Sequence, residues 1–289
     1  MPTLRSARLV RSVSGVREAV GAWRTAHQTV AFVPTMGNLH AGHLSLAELA
    51  TTVGDKVVMS IFVNPTQFGP GEDFAAYPRT LEEDRSRLAA AGNVDLLFVP
   101  DEPEIYPFGS AQAVRLTLPA LSRELCGASR PGHFEAVATV VCRLLNLVTP
   151  DVLVLGQKDY QQVVLLEHMI ADLRLPVSVR VGATQREPDG LALSSRNRYL
   201  DAAQRRQAPA LHAALQSARG MLRAGAVDYA QVETQARDAL ARGGFRPDYV
   251  EVRRGADLAR PNGRDRPEDL VVLAAAWLGR TRLIDNVRV

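Results

Sequence analysis

Lysine is nearly absent from this chain: of its 34 basic residues only Lys56 and Lys158 are lysine, and all the others are arginine. A chain that uses arginine almost everywhere retains lysine where a compact ammonium is wanted and a planar guanidinium does not fit. Lys56, beside Asp55 at the head of an apolar run, reads as a strand-edge residue, which leaves Lys158 as the one to follow. Cysteine is scarce as well. Cys126 and Cys142 lack the Cys-x-x-Cys spacing of a zinc or dithiol site and read as inert packing residues. Aromatics make up 6% of the residues and no dense basic block occurs, which argues against nucleic acid as a partner despite a net charge of +3 and a pI near 9.1. A small anionic ligand fits that charge equally well. No apolar run approaches the roughly 20 residues that span a bilayer, so no membrane partner is expected. The basic first residues lack the apolar core of a signal peptide, so the expected location is cytoplasmic. Gly-x-Gly-x-x-Gly, the phosphate-loop Gly-x-x-x-x-Gly-Lys and His-Glu-x-x-His are all missing.

What is present is an ordinary globular composition, 46% apolar and 22% charged over 289 residues, enough for two domains. Strands are expected at Thr29 to Pro34, Lys56 to Val63, Val94 to Pro100, Val152 to Gly156 and Val177 to Val181. Between them come helical patterns at Leu44 to Val53, Thr80 to Gly92, Phe134 to Val148 and Tyr160 to Leu173. Continuous Val/Leu/Ile runs, without two-residue alternation, imply strands buried on both faces, hence a doubly wound α/β fold with a parallel sheet. After about residue 183 the texture changes. Two Ala/Arg-rich helices, Ala202 to Ala224 and Tyr229 to Arg242, precede short strands at Tyr249 to Val252, Leu270 to Ala276 and Thr281 to Asn286. We therefore expect one domain over residues 1–184 and a smaller α+β domain over 185–289.

In doubly wound sheets ligands bind beyond the carboxyl ends of the strands, so the loops after Val33, Val63 and Leu155 carry the functional reading. The first, "PTMGNLHAGH", sets His40 and His43 three residues apart, on one face of a helix's first turn. Unpaired N–H groups at such an end attract anions, and Gly37 and Gly42 allow backbone to approach one closely. The pair therefore reads as phosphate ligands, with satisfaction of local hydrogen bonds as the alternative. The second loop, "NPTQF", offers Asn64 and Gln67 as uncharged hydrogen-bonding amides. In the third, "GQKDYQQ", Lys158 stands at the start of a helix against the dipole, which suggests a ligand; an ion pair with Asp159 is the alternative. A fourth segment, "LALSSRNRYL", collects Ser194, Ser195 and Arg196, hydroxyls plus a guanidinium suited to phosphate.

Taken together, "PTMGNLHAGH", "FVNPTQF", "PGHFEAVATVV", "GQKDYQQ" and "GLALSSRNRYLD", in this order across residues 34 to 201, resemble the pantothenate synthetases, or pantoate-beta-alanine ligases. The resemblance implies a Rossmann-like nucleotide-binding domain and a two-step reaction: pantoate and Mg-ATP give pantoyl adenylate and pyrophosphate, then beta-alanine displaces AMP. It assigns ATP contacts to Met36, Gly37, Asn38, Leu39, His40, Ala41, Gly42 and His43, to Gly156, Gln157, Lys158 and Asp159, and to Leu193, Ser194, Ser195 and Arg196. Gln67 and Gln162 fall to pantoate, with Gln67 also near beta-alanine, and His43 matches a proton donor. Gln157 stands where glutamate is usual, Leu193 where methionine is frequent, and Gln185 where a valine often lines the nucleotide site. Arg130 and His133 match a further motif tied to site closure or dimer contacts. Glu83 and Asp84 could assist Mg2+, although a solvated helix face is the simpler reading. The resemblance also implies a homodimer.

On this reading the catalytic set is His40, His43, Lys158 and Arg196: cations and donors placed in advance for the charge that builds up at the phosphorus under attack. No protein nucleophile is required. The rivals are a nucleotidyltransferase acting on another small acid, which leaves "NPTQF" and "GQKDYQQ" unexplained, and a nucleic-acid-binding module, which would need a basic stripe.

Overall fold

The computed structural model describes residues 6–289. Nine strands, ten α-helices and several single 3-10 turns occur among them, divided into two compact units. The first unit runs up to Gly156 and resumes over Leu165–Gly182; the second takes Gln157–Val164 and everything from Ala183 onward.

The first unit is built on six strands: β1 (Arg8–Val10), β2 (Val30–Thr35), β3 (Lys56–Ile61), β4 (Leu96–Phe98), β5 (Val152–Gly156) and β6 (Ser178–Gly182). All pair in parallel, in the order β1-β4-β3-β2-β5-β6. The longer helices are α1 (Val13–Thr25), α2 (Ala41–Thr51), α3 (Leu81–Ala91), α6 (His133–Val148) and, from Leu165 onward, α7 (Tyr160–Asp172), with two single turns, α4 (Glu102–Ile105) and α5 (Cys126–Ser129), in the long connection after β4. Both faces of the sheet are covered. Ala31, Val33, Val57, Met59, Leu97 and Val154 pack with Ala47 and Ala50 of α2 and Leu88 of α3. Their strand neighbours Val30, Phe32, Val58, Leu96, Phe98 and Leu153 point to the opposite face and are equally buried. That two-sided burial is why these strands lack alternation in the sequence.

From β2 the chain winds one way through β3 and β4, then returns to the other side of β2 to form β5. The order therefore reverses between β2 and β5, and the carboxyl ends of these two strands flank the switch point where ligands bind in such sheets. The loop that leaves β2 is the histidine loop.

The single turns α4 and α5 were not expected from the sequence, nor were β1 and α1. β1 has three residues and sits at the sheet edge, too short to show a period; α1 follows at once, its first turn capped by Ser12, whose side chain accepts from Gly15 N–H. The second unit holds α8 (Ala202–Gln207), α9 (Ala210–Arg223), α10 (Tyr229–Arg242) and an antiparallel sheet of β7 (Arg246–Arg254), β8 (Leu270–Leu278) and β9 (Thr281–Arg288). The single helix expected over Ala202 to Ala224 is broken at Pro209, which has no N–H to donate and whose ring crowds the preceding turn. Leu211, Leu215 and Leu222 of α9 and Val232, Ala236 and Leu240 of α10 close over Val250, Val252, Val272, Ala274, Leu283 and Val287 of the sheet.

Candidate active site

The histidine loop is pinned at each residue. Thr35, the last residue of β2, donates its hydroxyl to the Ser60 carbonyl (2.6 Å) and accepts from Gly37 N–H (3.3 Å). Gly37 and Asn38 both adopt left-handed backbone, with φ of 81° and 50°. At Gly37 a Cβ would lie 2.9 Å from Ile61 Cγ2 and 3.2 Å from Asp84 Oδ2, so only glycine fits. Asp84, on the first turn of α3, accepts from Asn38 N–H (2.9 Å) through one oxygen and from Leu39 N–H (2.7 Å) through the other. Thr80 donates to it as well, at 3.3 Å. Burial raises the pKa of this carboxyl and outweighs the lowering by those donors. Leu39 is fully buried beneath the loop, and its carbonyl accepts from the Arg87 guanidinium.

His40 then caps α2. Its Nδ1 accepts from Gly42 N–H (3.2 Å), while Nδ1 of His43 accepts from His40 N–H (3.3 Å), and the two rings lie 4.1 Å apart between centroids. Spacing of three does place both imidazoles on one face, as the sequence implied. The capping bonds also settle the tautomer of each neutral ring: with Nδ1 accepting, Nε2 carries the proton. Local hydrogen bonding, one of the two alternatives set by the sequence, is thus made, and it uses Nδ1 of each ring.

The amide loop lies against this one. Asn64 is buried and caps the turn Pro65–Gln67, its Oδ1 accepting from Tyr106 Oη (2.9 Å) and Thr66 Oγ1 (3.1 Å). Its Nδ2 donates to Gln67 Oε1 (3.2 Å), and Gln67 Nε2 approaches Met36 Sδ at 3.0 Å. Asn64, Gln67 and Met36 are therefore brought together, with Asn64 orienting Gln67. A clamp holds the turn from behind: Arg130 grips Glu72 through two bonds of 2.7 and 2.6 Å and meets His133 Nε2 at 2.8 Å, while His133 Nδ1 donates to the Gln67 carbonyl at 2.9 Å. Burial pushes the Glu72 carboxyl up, but hydrogen bonding and charge from Arg130 outweigh it and leave it below its ordinary range.

In the second unit Gln157–Asp159 form a 3-10 turn leading into α7, which carries Gln162. Lys158 is half-buried and its Nζ lies 3.7 Å from Asp159 Oδ1, so the ion pair weighed from the sequence is made, with a partner 49% exposed. Gln185 and Leu193 face each other across a small hairpin in which Leu193 N–H donates to the Gln185 carbonyl (2.9 Å). Ser194 caps the turn Ser195–Tyr199 by accepting from Arg196 N–H (3.3 Å), which sets Ser194, Ser195 and Arg196 on one short stretch. Gly156 ends β5 in the first unit.

Asp84 is a correction. It is buried, not part of a solvated face, and its two oxygens are engaged by backbone N–H groups. Its signal was in the sequence: Leu81, Asp84 and Leu88 share the apolar stripe of α3 at spacings of three and four, while Glu82 and Glu83 lie outside it and are exposed. Asp285 and Asn286, buried together near the end of β9, had no comparable signal. Among the described residues no group of three or more His, Cys, Asp or Glu side chains is placed to hold a metal ion, and no helix is long and apolar enough to cross a membrane.

Comparison with known proteins agrees with this geometry. Residues 8–288 match the family described as Pantoate-beta-alanine ligase. The chain is 50% identical to a pantothenate synthetase of Methylococcus capsulatus over 280 residues, 97% of each chain. It is 51% identical to one of Pseudomonas aeruginosa, covering 97% of this chain and 98% of that one. Among solved structures, the pantothenate synthetase of Thermus thermophilus superposes with a TM-score of 0.89 at 43% identity, covering 97% of this chain and 99% of the other. A Francisella tularensis pantoate-beta-alanine ligase, solved with "Beta-gamma ATP and Beta-alanine", superposes at 0.80 and 33% identity, covering 98% and 97%. With its histidine loop at the switch point of a parallel sheet and a match that runs almost end to end, this chain belongs to the pantoate-beta-alanine ligase family.

Proposed function

We propose that this chain condenses (R)-pantoate with beta-alanine at the expense of ATP, through a pantoyl-adenylate intermediate, releasing pyrophosphate and then AMP, with the following division of labour. In the first step a pantoate carboxylate oxygen attacks the α-phosphorus and the bond to pyrophosphate breaks. In the second the neutral amine of beta-alanine attacks the acyl carbonyl, AMP leaves, and the amine gives up a proton.

The observation that carries the assignment is the capped histidine pair. Bonds at Nδ1 orient the Nε2–H of His40 and of His43 as donors for phosphate oxygens, on a loop that Asp84 holds rigid before any nucleotide arrives. Met36, Gly37, Asn38, Leu39, Ala41 and Gly42 contribute the backbone of that loop. Gln67, fixed by Asn64 and by the Arg130–His133 clamp, serves pantoate, as does Gln162. In the second unit Lys158 supplies the compact cation for the α-phosphate, and Ser194, Ser195 and Arg196 supply hydroxyls and a guanidinium for phosphate. Gly156, Gln157, Asp159, Gln185 and Leu193 complete the nucleotide contacts through backbone and packing. Mg2+ would enter with ATP and supply neutralisation of phosphate charge, while among the described residues no group of acidic or histidine side chains is placed to hold it alone.

The direct test is pantoate-dependent exchange of labelled pyrophosphate into ATP, followed by AMP release on adding beta-alanine. His43→Ala is expected to slow exchange by at least about tenfold, while loss of the cap costs about 1 kcal/mol of stability. A melting temperature that collapses in step with activity would reduce His43 to a structural cap. The protein acts in the cytoplasm and as a homodimer; light scattering that returns the 31.4 kDa mass of one chain would overturn the latter.

A further inference from the structure

Asn286 stands on β9, far along the chain from any segment assigned to ATP, yet its side chain touches the lysine turn. It is 1% exposed. Its Nδ2 donates to the carbonyls of both Gln157 and Lys158, each at 2.9 Å, and its Oδ1 accepts from Gln157 Nε2 at 3.2 Å. The amide cannot be turned over, because Oδ1 would then face two carbonyl oxygens and the Gln157 amide would face another N–H donor. All three bonds lie within the second unit.

The anchor is itself anchored. Leu283, Asp285 and Val287 share one face of β9, where Leu283 and Val287 join the core formed with α9 and α10. Asp285 there takes two bonds from Arg186, of 2.6 and 2.9 Å, and lies 3.4 Å from Nδ1 of His212 on α9. Asn286 N–H donates to Asp285 Oδ1 (2.8 Å), and Arg186 also donates to the Gly190 carbonyl (3.1 Å) within the hairpin that precedes Ser194. Asn286 takes the opposite face, with the Gln157–Asp159 turn upon it. A lysine ammonium sits at the end of a flexible four-carbon stem, so its aim depends on how firmly its own backbone is held. Here both peptide carbonyls that bracket the Lys158 Cα are held by one buried amide on a paired strand position, opposite Leu273 of β8.

We infer that Asn286 is a positioning residue for Lys158: it fixes the backbone of the lysine turn so that the ammonium meets the phosphorus under attack. The inference rests on the role proposed for Lys158 and adds to it a residue that never touches substrate. Misplacement of a reacting group by about 1 Å can cost on the order of a hundredfold, and the effect belongs to turnover, not to substrate binding.

The test is a double-mutant cycle on the full chain, read by pantoate-dependent pyrophosphate exchange with kcat and KM separated. Asn286→Ala is expected to lower kcat by roughly tenfold to a hundredfold with KM for pantoate changed by less than about threefold. In a Lys158→Ala background the same change is expected to cost less than about twofold further, because the group it positions is gone. Losses that multiply in full, or a change confined to KM, would overturn the inference. Asn286→Ser, smaller and able to donate to one carbonyl at a time, is expected to fall between Asn286→Ala and the parent. If both single variants fail to fold, Asn286 is a structural residue and the inference falls. Lys158→Ala with near-normal turnover would instead remove the lysine's own role, whereas a crippled Lys158→Ala beside a normal, folded Asn286→Ala would sink only the positioning claim.

Discussion

Replacing Lys158 with alanine is expected to lower turnover by at least about a hundredfold, the typical cost of losing one group aimed at charge in a transition state, and to leave stability almost unchanged. The two expectations separate because of what the side chain does in the folded protein. Its visible partner is Asp159, 3.7 Å away and 49% exposed, and an ion pair of that kind contributes about 0–1 kcal/mol. The chain's other lysine shows the contrast. Lys56 lies 3.3 Å from Asp95, both largely buried, and packs over the Trp23 ring at 5.9 Å, a purely structural arrangement at the head of β3. Lys158→Arg is expected to fail nearly as badly as alanine, since a planar guanidinium spreads its charge and the proposed role calls for a compact ammonium. Exchange assays beside a thermal melt decide the matter: turnover within a few fold of the parent in a folded Lys158→Ala protein would exclude the residue from the chemistry.

Asp84→Asn is expected to harm stability and activity together. The carboxylate accepts from Asn38 N–H with one oxygen and from Leu39 N–H with the other, in a buried position. An asparagine keeps only one acceptor, so one backbone N–H is left facing an NH2 group. An unsatisfied buried donor costs about 1–3 kcal/mol, and at this chain length each kcal/mol lowers the melting temperature by about 2–4 °C. Either Asn38 or Leu39 would lose the bond that steadies the left-handed turn at Gly37 and Asn38, and the backbone leading into the His40 cap would loosen with it. A melting curve and pyrophosphate exchange rate both matching the parent would show that the loop does not depend on Asp84.

How far the sequence revealed this molecule depends on what each element has to bury. β2, β3 and β5 lie inside the sheet with apolar residues on both faces, and their uninterrupted Val/Leu/Ile runs exposed them directly. β1 has three residues at an edge and leaves no such trace. Pro209 could have split the expected Ala202 to Ala224 helix on sight, but the strong apolar period that follows it masked it. At the site, residues grouped in one loop were legible because short-range spacing decides their geometry: His40 with His43, Asn64 with Gln67, Ser194 with Arg196. Residues that act by holding another segment were not. Glu72 steadies Gln67 through Arg130, and Asp285 reaches the 185–193 hairpin through Arg186, so their contacts arise from tertiary packing. Asp84 lies between these cases, hidden among acidic neighbours although its place in an apolar stripe marked it as buried.

The bond from Asn286 to the Lys158 carbonyl spans 128 residues of chain. During translation the lysine turn therefore emerges long before the amide that secures it, by on the order of ten seconds at ordinary elongation rates. A nascent chain therefore completes the strands β1 through β6 before the amide that holds the Gln157 and Lys158 carbonyls has been made.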